Sequence, residues 1–156
     1  MAKSAFSLAR YKDAATVELL NQTDQRTLAV WAIDCAERVM PFFERAYPLD
    51  ERPRQAIATL QSWLQTGVFE MAIIRHASLN AHAAARDVGE ENSARSAARA
   101  AGQAVATAHV PLHALGAANY ALQAIHRSST LSEAEDAVAR EREWQFQRLR
   151  ELCGGG

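Results

Sequence analysis

The residues best suited to chemistry are two histidines, His109 and His113, which stand four positions apart in an alanine-rich stretch. Two imidazoles at this spacing share one face of a helix and can bind a single metal ion. A zinc site needs a third ligand, but no carboxylate or thiolate follows nearby and the HExxH pattern is absent. The pair therefore favours histidines hydrogen-bonded in a polar seam, with exposed histidines or a metal site as weaker alternatives. We expect no metal and no other cofactor.

Further polar residues align with these histidines if residues 94–125 form one helix. At about 100° per residue, a wedge of roughly 80° then contains Arg95, Arg99, His109, His113, Tyr120 and Arg127. A second stripe, Arg75, His82 and Arg86, follows one flank of the preceding helical segment. The turn-forming residues 89–93 between the two segments predict an antiparallel hairpin, in which the stripes can face each other.

Two arginines predict a different kind of cluster. Arg52 and Arg54 stand at a predicted helix start, where cations oppose the helix dipole. This placement indicates carboxylates that compensate the charge, and the candidates are Glu37, Glu44 and Asp50. We expect a structural ion-pair cluster there.

The elements that must position these residues are all predicted to be helical. Apolar residues recur at helical spacing in segments of about 13–20, 24–46, 50–67, 69–88, 94–125 and 133–152. Alanines and glycines in the 94–125 segment allow neighbouring helices to approach closely, which places this segment at the centre. Its larger apolar face contains Val105, Ala108, Leu112, Leu115 and Leu122.

Prolines interrupt two of these segments. Pro111 lies within 94–125 and can kink or break the helix, because it lacks a backbone donor and disfavours helical angles at the residue before it. Pro41 can likewise kink the 24–46 segment or end its first part. Asp34 and Arg38 in that first part have the i, i+4 spacing of salt-bridge partners on a solvated helix face.

Length and composition indicate one globular domain. The chain has 156 residues, 49% of them hydrophobic and 22% charged, and its low glycine and proline content favours helices over sheets. We expect one all-α domain over residues 1–156, a bundle of about five to six helices around the central alanine-rich helix. Residues 1–12 are expected to form a loosely ordered arm and residues 153–156 a flexible tail.

Charge and missing motifs narrow the classes of function. A formal net charge of -1 disfavours nucleic-acid binding by the whole surface, although a local arginine patch is compatible with it. No run has signal-peptide character or transmembrane length, and Cys35 and Cys153 do not form a disulfide framework. Glycine-rich phosphate loops and nucleophile elbows are absent. We expect a cytoplasmic protein that is not an enzyme, has no catalytic residues and binds neither nucleic acid nor membranes.

Four stretches carry a resemblance to a known family. They are Trp31–Glu44 (WAIDCAERVMPFFE), Asp50–Ala56 (DERPRQA) with Trp63 and Gly67, Ala81–Arg86 (AHAAAR) and Ala98–Ala114 (ARAAGQAVATAHVPLHA). Together, over about residues 28–125, they resemble the bacterial "putative immunity protein" family, a small all-helical group likened to the immunity proteins of polymorphic-toxin systems.

The resemblance implies a protein that binds and blocks a cognate toxin through surface complementarity. It also marks motif positions without an assigned role: Trp31, Asp34, Glu37, Glu44, Arg52, Arg54, Trp63, His82, Arg86, Arg99, His109, His113 and Tyr120. The candidate polar site comprises Asp34, Glu37, Arg52, Arg54, His82, Arg86, Arg99, His109, His113 and Tyr120. Pro111, within the histidine motif, is a departure from the family's usual pattern and argues against an unbroken central helix.

Two other functions fit the sequence. A small enzyme or ligand-binding bundle would use Asp34, His82, Arg86, Arg99, His109 and His113 to hold a carboxylate or phosphate, with a histidine as acid or base. An open pocket lined by these side chains would favour this reading, whereas mutual saturation would disfavour it. An oligomeric structural or regulatory protein would instead associate through the apolar residues of its last helix.

Overall fold

The chain folds as an all-helical bundle. The computed structural model describes residues 5–11 and 13–154, and within them it contains eight α-helices, a short 3-10 helix at Leu8–Tyr11 and no strand. The α-helices are α1 (Ala14–Asn21), α2 (Gln25–Glu37), α3 (Met40–Ala46), α4 (Arg52–Thr66), α5 (Met71–Val88), α6 (Ser93–Ala106), α7 (His113–Ser128) and α8 (Ala134–Gly154). The all-α class is confirmed. The helices outnumber the predicted five to six because two predicted segments, 24–46 and 94–125, are each divided in two.

Short polar side chains and glycines set many helix ends. Asp13, Asp24 and Asn92 each accept a backbone N–H of the first turn, at 2.9 to 3.0 Å, and so begin α1, α2 and α6. Gly67 and Gly89 end α4 and α5 with φ angles of 70° and 76°, in the left-handed region that favours glycine. Local sequence signals therefore fix these boundaries.

Pro111 divides the predicted central helix. α6 ends at Ala106 and α7 begins at His113, so the expectation of one helix over 94–125 is wrong. Pro111 has no N–H to continue the ladder and disfavours a helical conformation at Val110. The side chain of Gln25 on α2 donates from Nε2 to the carbonyl oxygens of Thr107 at 2.9 Å and Ala108 at 3.0 Å, which satisfies groups that the break leaves free.

The break reverses the chain, so α5, α6 and α7 pack as three successive antiparallel helices. The contacts that fix this arrangement are Ser78 with Gly102 and His82 with Arg99 between α5 and α6, and His113 with Gln103 and Gln123 with Ser96 between α6 and α7. The predicted α5–α6 hairpin is present. A second hairpin, α6–α7, replaces the second half of the expected long helix.

Helix α6 lies at the centre of the bundle. Its alanines Ala97, Ala98, Ala100, Ala101 and Ala104 are fully buried, and α6 packs against α2, α3, α4, α5 and α7. Side chains this small let several helices approach one axis. The expected apolar face fails at Leu112, which is 59% exposed because it lies in the turn between α6 and α7.

Helix α8 closes the bundle against α2, α7 and α1. Its apolar side chains Val138 and Leu149 are fully buried, and Trp144 and Leu152 pack on the core, so the chain itself covers the apolar face predicted to mediate oligomerisation. α8 continues through Gly154, which places residues 153 and 154 in a helix and not in the expected flexible tail. The rest of that tail, residues 155–156, lies outside the described residues.

The predicted N-terminal arm is described only in part, since residues 1–4 and 12 lie outside the described residues. Within 5–11, the ring of Phe6 packs edge-on against His126, and Arg10 forms an ion pair with Glu135 of α8. None of the helices in the described part of the chain has the length and apolar character needed to cross a membrane.

Enlarging a central alanine should destabilise the fold. Ala101→Leu adds a branched side chain where the residue is fully buried between helices, and overpacking of this kind typically costs about 1–3 kcal/mol. Urea unfolding followed by circular dichroism measures the change. The matched control is Ala139→Leu on the exposed side of α8, which should alter stability by less than about 0.5 kcal/mol. Equal effects at both positions would contradict the central place of α6.

Candidate functional site

The candidate residues separate into two groups with different electrostatic surroundings. Asp34, Glu37, Arg52 and Arg54 take part in carboxylate–guanidinium pairs around α2, α3, α4 and α8. The remaining residues lie on α5 and α7, on α6, or in the turn at Pro111. The structure therefore brings together only part of the predicted polar site.

Arg54 ties α4 to the two preceding helices. Its guanidinium donates to both oxygens of Glu44, at 2.7 and 3.1 Å, and also forms an ion pair with Glu37. The hydrogen bonds from Arg54 lower the pKa of Glu44, and those same bonds to Glu44 and Glu37 raise the pKa of Arg54 against the opposing effect of burial. This arrangement agrees with the ion-pair cluster predicted for Glu37 and Glu44.

Arg52 joins the start of α4 to the end of α5. Its Nη2 lies 2.7 Å from Oδ2 of Asp50, the predicted partner, and 2.8 Å from Oδ2 of Asp87. Asp87 was not predicted, since it becomes a neighbour only through the packing of α5 beside α4. The hydrogen bonds to Asp50 and Asp87 raise the pKa of Arg52, and those from Arg52 lower the pKa of Asp50.

Asp34 pairs across helices and not within its own helix. Its Oδ2 accepts from Nε of Arg148 on α8 at 2.8 Å. Arg38, its expected partner, instead donates to both oxygens of Glu141 at 2.6 and 2.9 Å and lies 3.9 Å from the ring centroid of Trp144. The i, i+4 expectation is wrong because α2 ends at Glu37 and α8 supplies nearer partners. Asp34 thus acts with α8 and does not join the histidines.

The second group forms a band across the α5–α6–α7 face, here called the arginine strip. Its members are His82 and Arg86 of α5, Arg95 and Arg99 of α6, and His113, Tyr120 and Arg127 of α7. The two antiparallel hairpins place positions from the three helices side by side. The sequence predicted that the α5 stripe can face a neighbouring stripe, but it placed Arg95, Arg99, His113, Tyr120 and Arg127 along a single helix. The chain reversal at Pro111 divides that second stripe between α6 and α7.

The centre of the arginine strip is a hydrogen bond between Arg99 and His82. Nη1 of Arg99 lies 2.8 Å from Nδ1 of His82. A guanidinium only donates, so Nδ1 accepts and the neutral ring carries its proton on Nε2. Burial lowers the pKa of His82 to about 4, and the charges of Arg99 and Arg86 add to this effect. The ring packs over Gly102, where a Cβ atom would lie 2.7 Å from Nε2.

His109 and His113 do not form a joint site on one helix. His113 lies at the start of α7, and its Nδ1 is 2.8 Å from Oε1 of Gln103. His109 lies in the turn, exposed, with its ring stacked 6.2 Å from that of Phe69. Burial and the neighbouring His109 lower the pKa of His113. Over residues 5–11 and 13–154, no three His, Cys, Asp or Glu side chains are grouped as metal ligands.

The arginines of the strip lack the carboxylate partners found on the other side of the molecule. Among the described residues, only Glu91 comes within ion-pair distance of any of them, at 4.0 Å from Arg127, and its side chain is 80% exposed. Arg127 also donates to Oγ of Ser96 at 3.0 Å. Burial lowers the pKa values of Arg99 and Arg127, and the charge of Arg95 lowers both further.

The predicted candidate site omitted Arg95 and Arg127, which belong to the arginine strip, and Arg142, which is buried. Arg95 and Arg127 were on the predicted stripe but not in the candidate site, and the spacing that selected Arg99 would have included them. Arg142 gave no signal among the dense charges of α8. It is only 8% exposed, donates to Asn119 Oδ1 at 2.6 Å and Gln145 Oε1 at 3.1 Å, and has a buried Nε without a partner among the described atoms.

Two cavities help to decide whether the candidate residues line a ligand pocket or form a binding surface. One of about 280 Å³ is lined by Met71, Ile74, Arg75, Ser78, Leu79, Ala106 and His109. Another, of about 210 Å³, is lined by Leu8, Ala9, Asp13, Thr16, Val17, Leu115, Asn119 and Arg142. Neither is lined by His82, Arg99 or His113, whose polar atoms bond one another or Gln103 at the surface of the bundle.

Comparison with known families identifies a relationship over most of the chain. The model of a family described as "Imm-5 like putative immunity protein" matches residues 18–152. This range contains all ten predicted candidate residues as well as Arg95 and Arg127. Searches of the curated proteins and of the solved structures found no significant match.

The buried neutral His82 should make stability depend on pH. The unfolded chain takes up a proton on this histidine near pH 6.5, while the folded chain does so only near pH 4. The free energy of unfolding should therefore decrease as the pH is lowered from 6.5 to about 4. We expect a loss of about 1–2 kcal/mol after allowance for the partial exposure of the ring. Urea titrations at pH 7 and pH 4.5 measure the loss.

The control for this prediction is His82→Asn, which retains an acceptor for Arg99 but has no titrating ring. It should show a smaller loss over the same interval, whereas His76→Gln, at an exposed histidine of the same helix, should behave like the native chain. An unchanged loss in His82→Asn would show that other groups carry the pH dependence.

Removing the guanidinium of Arg54 should loosen the ion-pair cluster. Arg54→Met retains much of the aliphatic stem but leaves Glu37 and Glu44 facing each other without their shared cation. Because these side chains are about 40% exposed, we expect a loss of only about 1 kcal/mol, smaller at high salt. Urea unfolding at low and high sodium chloride tests this. Arg45→Met, at an exposed arginine of α3, should have no comparable effect, and a salt-independent loss at Arg54 would contradict an electrostatic origin.

Proposed function

Because the chain belongs to the Imm-5-like putative immunity protein family, we propose that it is an immunity protein that neutralises a cognate toxin by binding it directly. Family membership over residues 18–152 is the observation that carries this proposal. Inhibition by binding requires a rigid surface that is complementary to the partner, and it requires no reacting group.

The surroundings of the candidate residues support a binding surface over a reaction centre. The paired group, Arg52 and Arg54 with their carboxylates, holds helix ends together and leaves its hydrogen-bonding groups largely satisfied. The arginine strip, in contrast, lies on a continuous outer face of three helices. Arginine and tyrosine are enriched at the energetic centres of protein interfaces.

The positions of the candidate residues give less support to the enzyme or ligand-binding alternative. Its proposed members are dispersed: Asp34 bonds to Arg148 of α8, and His109 stacks on Phe69 in the turn. His82 and Arg99 bond each other and do not line the cavities described above. A catalytic acid or base needs to reach a substrate held in a pocket, and of the proposed members only His109 lines one of the two cavities described above.

The oligomer alternative has lost its main structural basis. The apolar side chains of α8 that would have mediated self-association pack within the same chain. Exposed apolar residues remain near the α4–α5 connection and the Pro111 turn, among them Val68, Phe69 and Leu112, and they are available to a protein partner.

Purified candidate toxins encoded near this protein's gene provide the direct test. Co-expression should relieve the growth arrest that the toxin causes alone, and isothermal titration calorimetry with the purified proteins should show a saturable complex. Toxin recovered from the complex after denaturation and refolding should regain full activity, because binding leaves it chemically unchanged.

The outcomes separate the hypotheses. Failure of every neighbouring toxin to bind would contradict the proposal. Relief of toxicity accompanied by permanent, covalent inactivation of the recovered toxin would indicate an enzyme, and it would also contradict the proposal.

A further inference from the structure

We propose that the arginine strip is the surface that receives the toxin, and that it receives a segment rich in aspartate and glutamate. The inference rests on the proposed function and extends it by naming the face and the chemistry of the partner. It follows from a contrast in charge between two sides of the molecule, together with the geometry of the strip.

The two sides of the molecule differ in whether carboxylates neutralise the charge of the arginines. Arg38, Arg52, Arg54 and Arg148 each lie within 2.9 Å of a carboxylate oxygen. In the arginine strip, Arg127 lies 4.0 Å from Glu91, and the other three arginines have no carboxylate within ion-pair distance among the described residues. Of the three acidic residues between Arg86 and Arg95 in the sequence, Asp87 pairs with Arg52 and only Glu91 comes within ion-pair distance of the strip. A cluster of like charges without counter-charges is unfavourable in isolation and becomes favourable when an oppositely charged partner covers it.

The geometry of the strip prepares its guanidinium groups for a partner. Arg99 is held by Nδ1 of His82 and Arg127 by Oγ of Ser96, so both are partly immobilised before binding. Each guanidinium has five N–H donors, and these contacts leave several of them free. Partial burial also removes some of the water that a partner would otherwise have to displace. An aspartate or glutamate can then accept two parallel bonds from one fork.

An apolar groove adjoins the strip and supplies a second point of contact. Leu79 stands one turn before His82 on α5, and with Met71, Ala106 and His109 it lines the cavity of about 280 Å³. Leu79 is 56% exposed and Met71 is 42% exposed. An apolar side chain next to an acidic run would fill this groove while the run lies along the arginines, which is the usual arrangement of a buried anchor and a polar surround.

Carboxylates fit this surface better than the phosphates of a nucleic acid. The fork of arginine binds carboxylates and phosphates alike in two bonds, so the distribution of charge around the strip decides between them. The strip is short and the rest of the chain carries the acidic excess. A nucleic-acid backbone that extended beyond the strip would meet that excess, whereas a compact acidic protein segment would not.

Two double variants of equal charge test the inference with the purified toxin. Arg86→Gln with Arg95→Gln removes two charges from the strip at residues whose side chains form no hydrogen bond among the described atoms. Arg140→Gln with Arg150→Gln removes two charges from exposed positions of α8 and serves as the matched control. Circular dichroism and urea unfolding confirm that both variants are folded.

We expect the strip variant to bind the toxin at least about 10-fold more weakly and the control within about 2-fold of the native protein. Raising sodium chloride from about 50 to about 300 mM should reduce this difference, since salt screens exposed charges. An octaglutamate peptide should compete with the toxin for the native protein, and a DNA duplex of equal charge should compete less well.

The results distinguish the failure of the inference from the failure of the proposed function. If the native protein binds the toxin and the strip variant binds equally well, or if both double variants lose affinity equally, the strip is not the docking surface and the immunity function stands. Stronger competition by DNA than by octaglutamate would also overturn the acidic partner. If the native protein binds no toxin, the proposed function itself fails.

Discussion

The reversal of the chain at Pro111 is the constraint on which the rest of the structure depends. Without a backbone donor at this position, α6 ends at Ala106, and Gln25 bonds the carbonyls of Thr107 and Ala108 that the break leaves without helical partners. The reversal lets α7 pack along α6, whose buried alanines allow close approach. It also folds one end of the polar sequence back beside the other, so that Arg95 and Arg99 become neighbours of Tyr120 and Arg127.

Charge is distributed in two different ways around this framework. On the side formed by α2, α3, α4 and α8, guanidinium groups bind carboxylates from neighbouring helices and fix where those helices meet. On the α5–α6–α7 face, Arg99 is held by a histidine and Arg127 by a serine, and the four arginines keep most of their charge uncompensated. The first arrangement stabilises the fold, and the second is suited to a partner. The proposed docking surface depends on this division.

The sequence predicted the helical class and most boundaries, because caps, glycines and apolar spacing are local signals. It predicted the pairing of Arg54 because a cation at a helix start favours carboxylates nearby. The outcome at Pro111 was not predictable, since a proline can kink a helix or end it, and only the packing available to α7 decides between them. The partner of Asp34 and the second partner of Arg52, Asp87, depend on contacts with α8 and between α4 and α5, which helix spacing does not encode. Arg142 is buried by elements distant in sequence, so its dense charged surroundings gave no indication of its position.

The most direct test of a binding function on this face follows individual arginine side chains by nuclear magnetic resonance. The Nε–Hε signals of Arg86, Arg95, Arg99 and Arg127 should shift when the cognate toxin is added, because their guanidinium groups gain carboxylate partners. Those of Arg38, Arg52, Arg54 and Arg148 should remain in place, since these arginines already have theirs. Shifts confined to this second set would contradict the central claim.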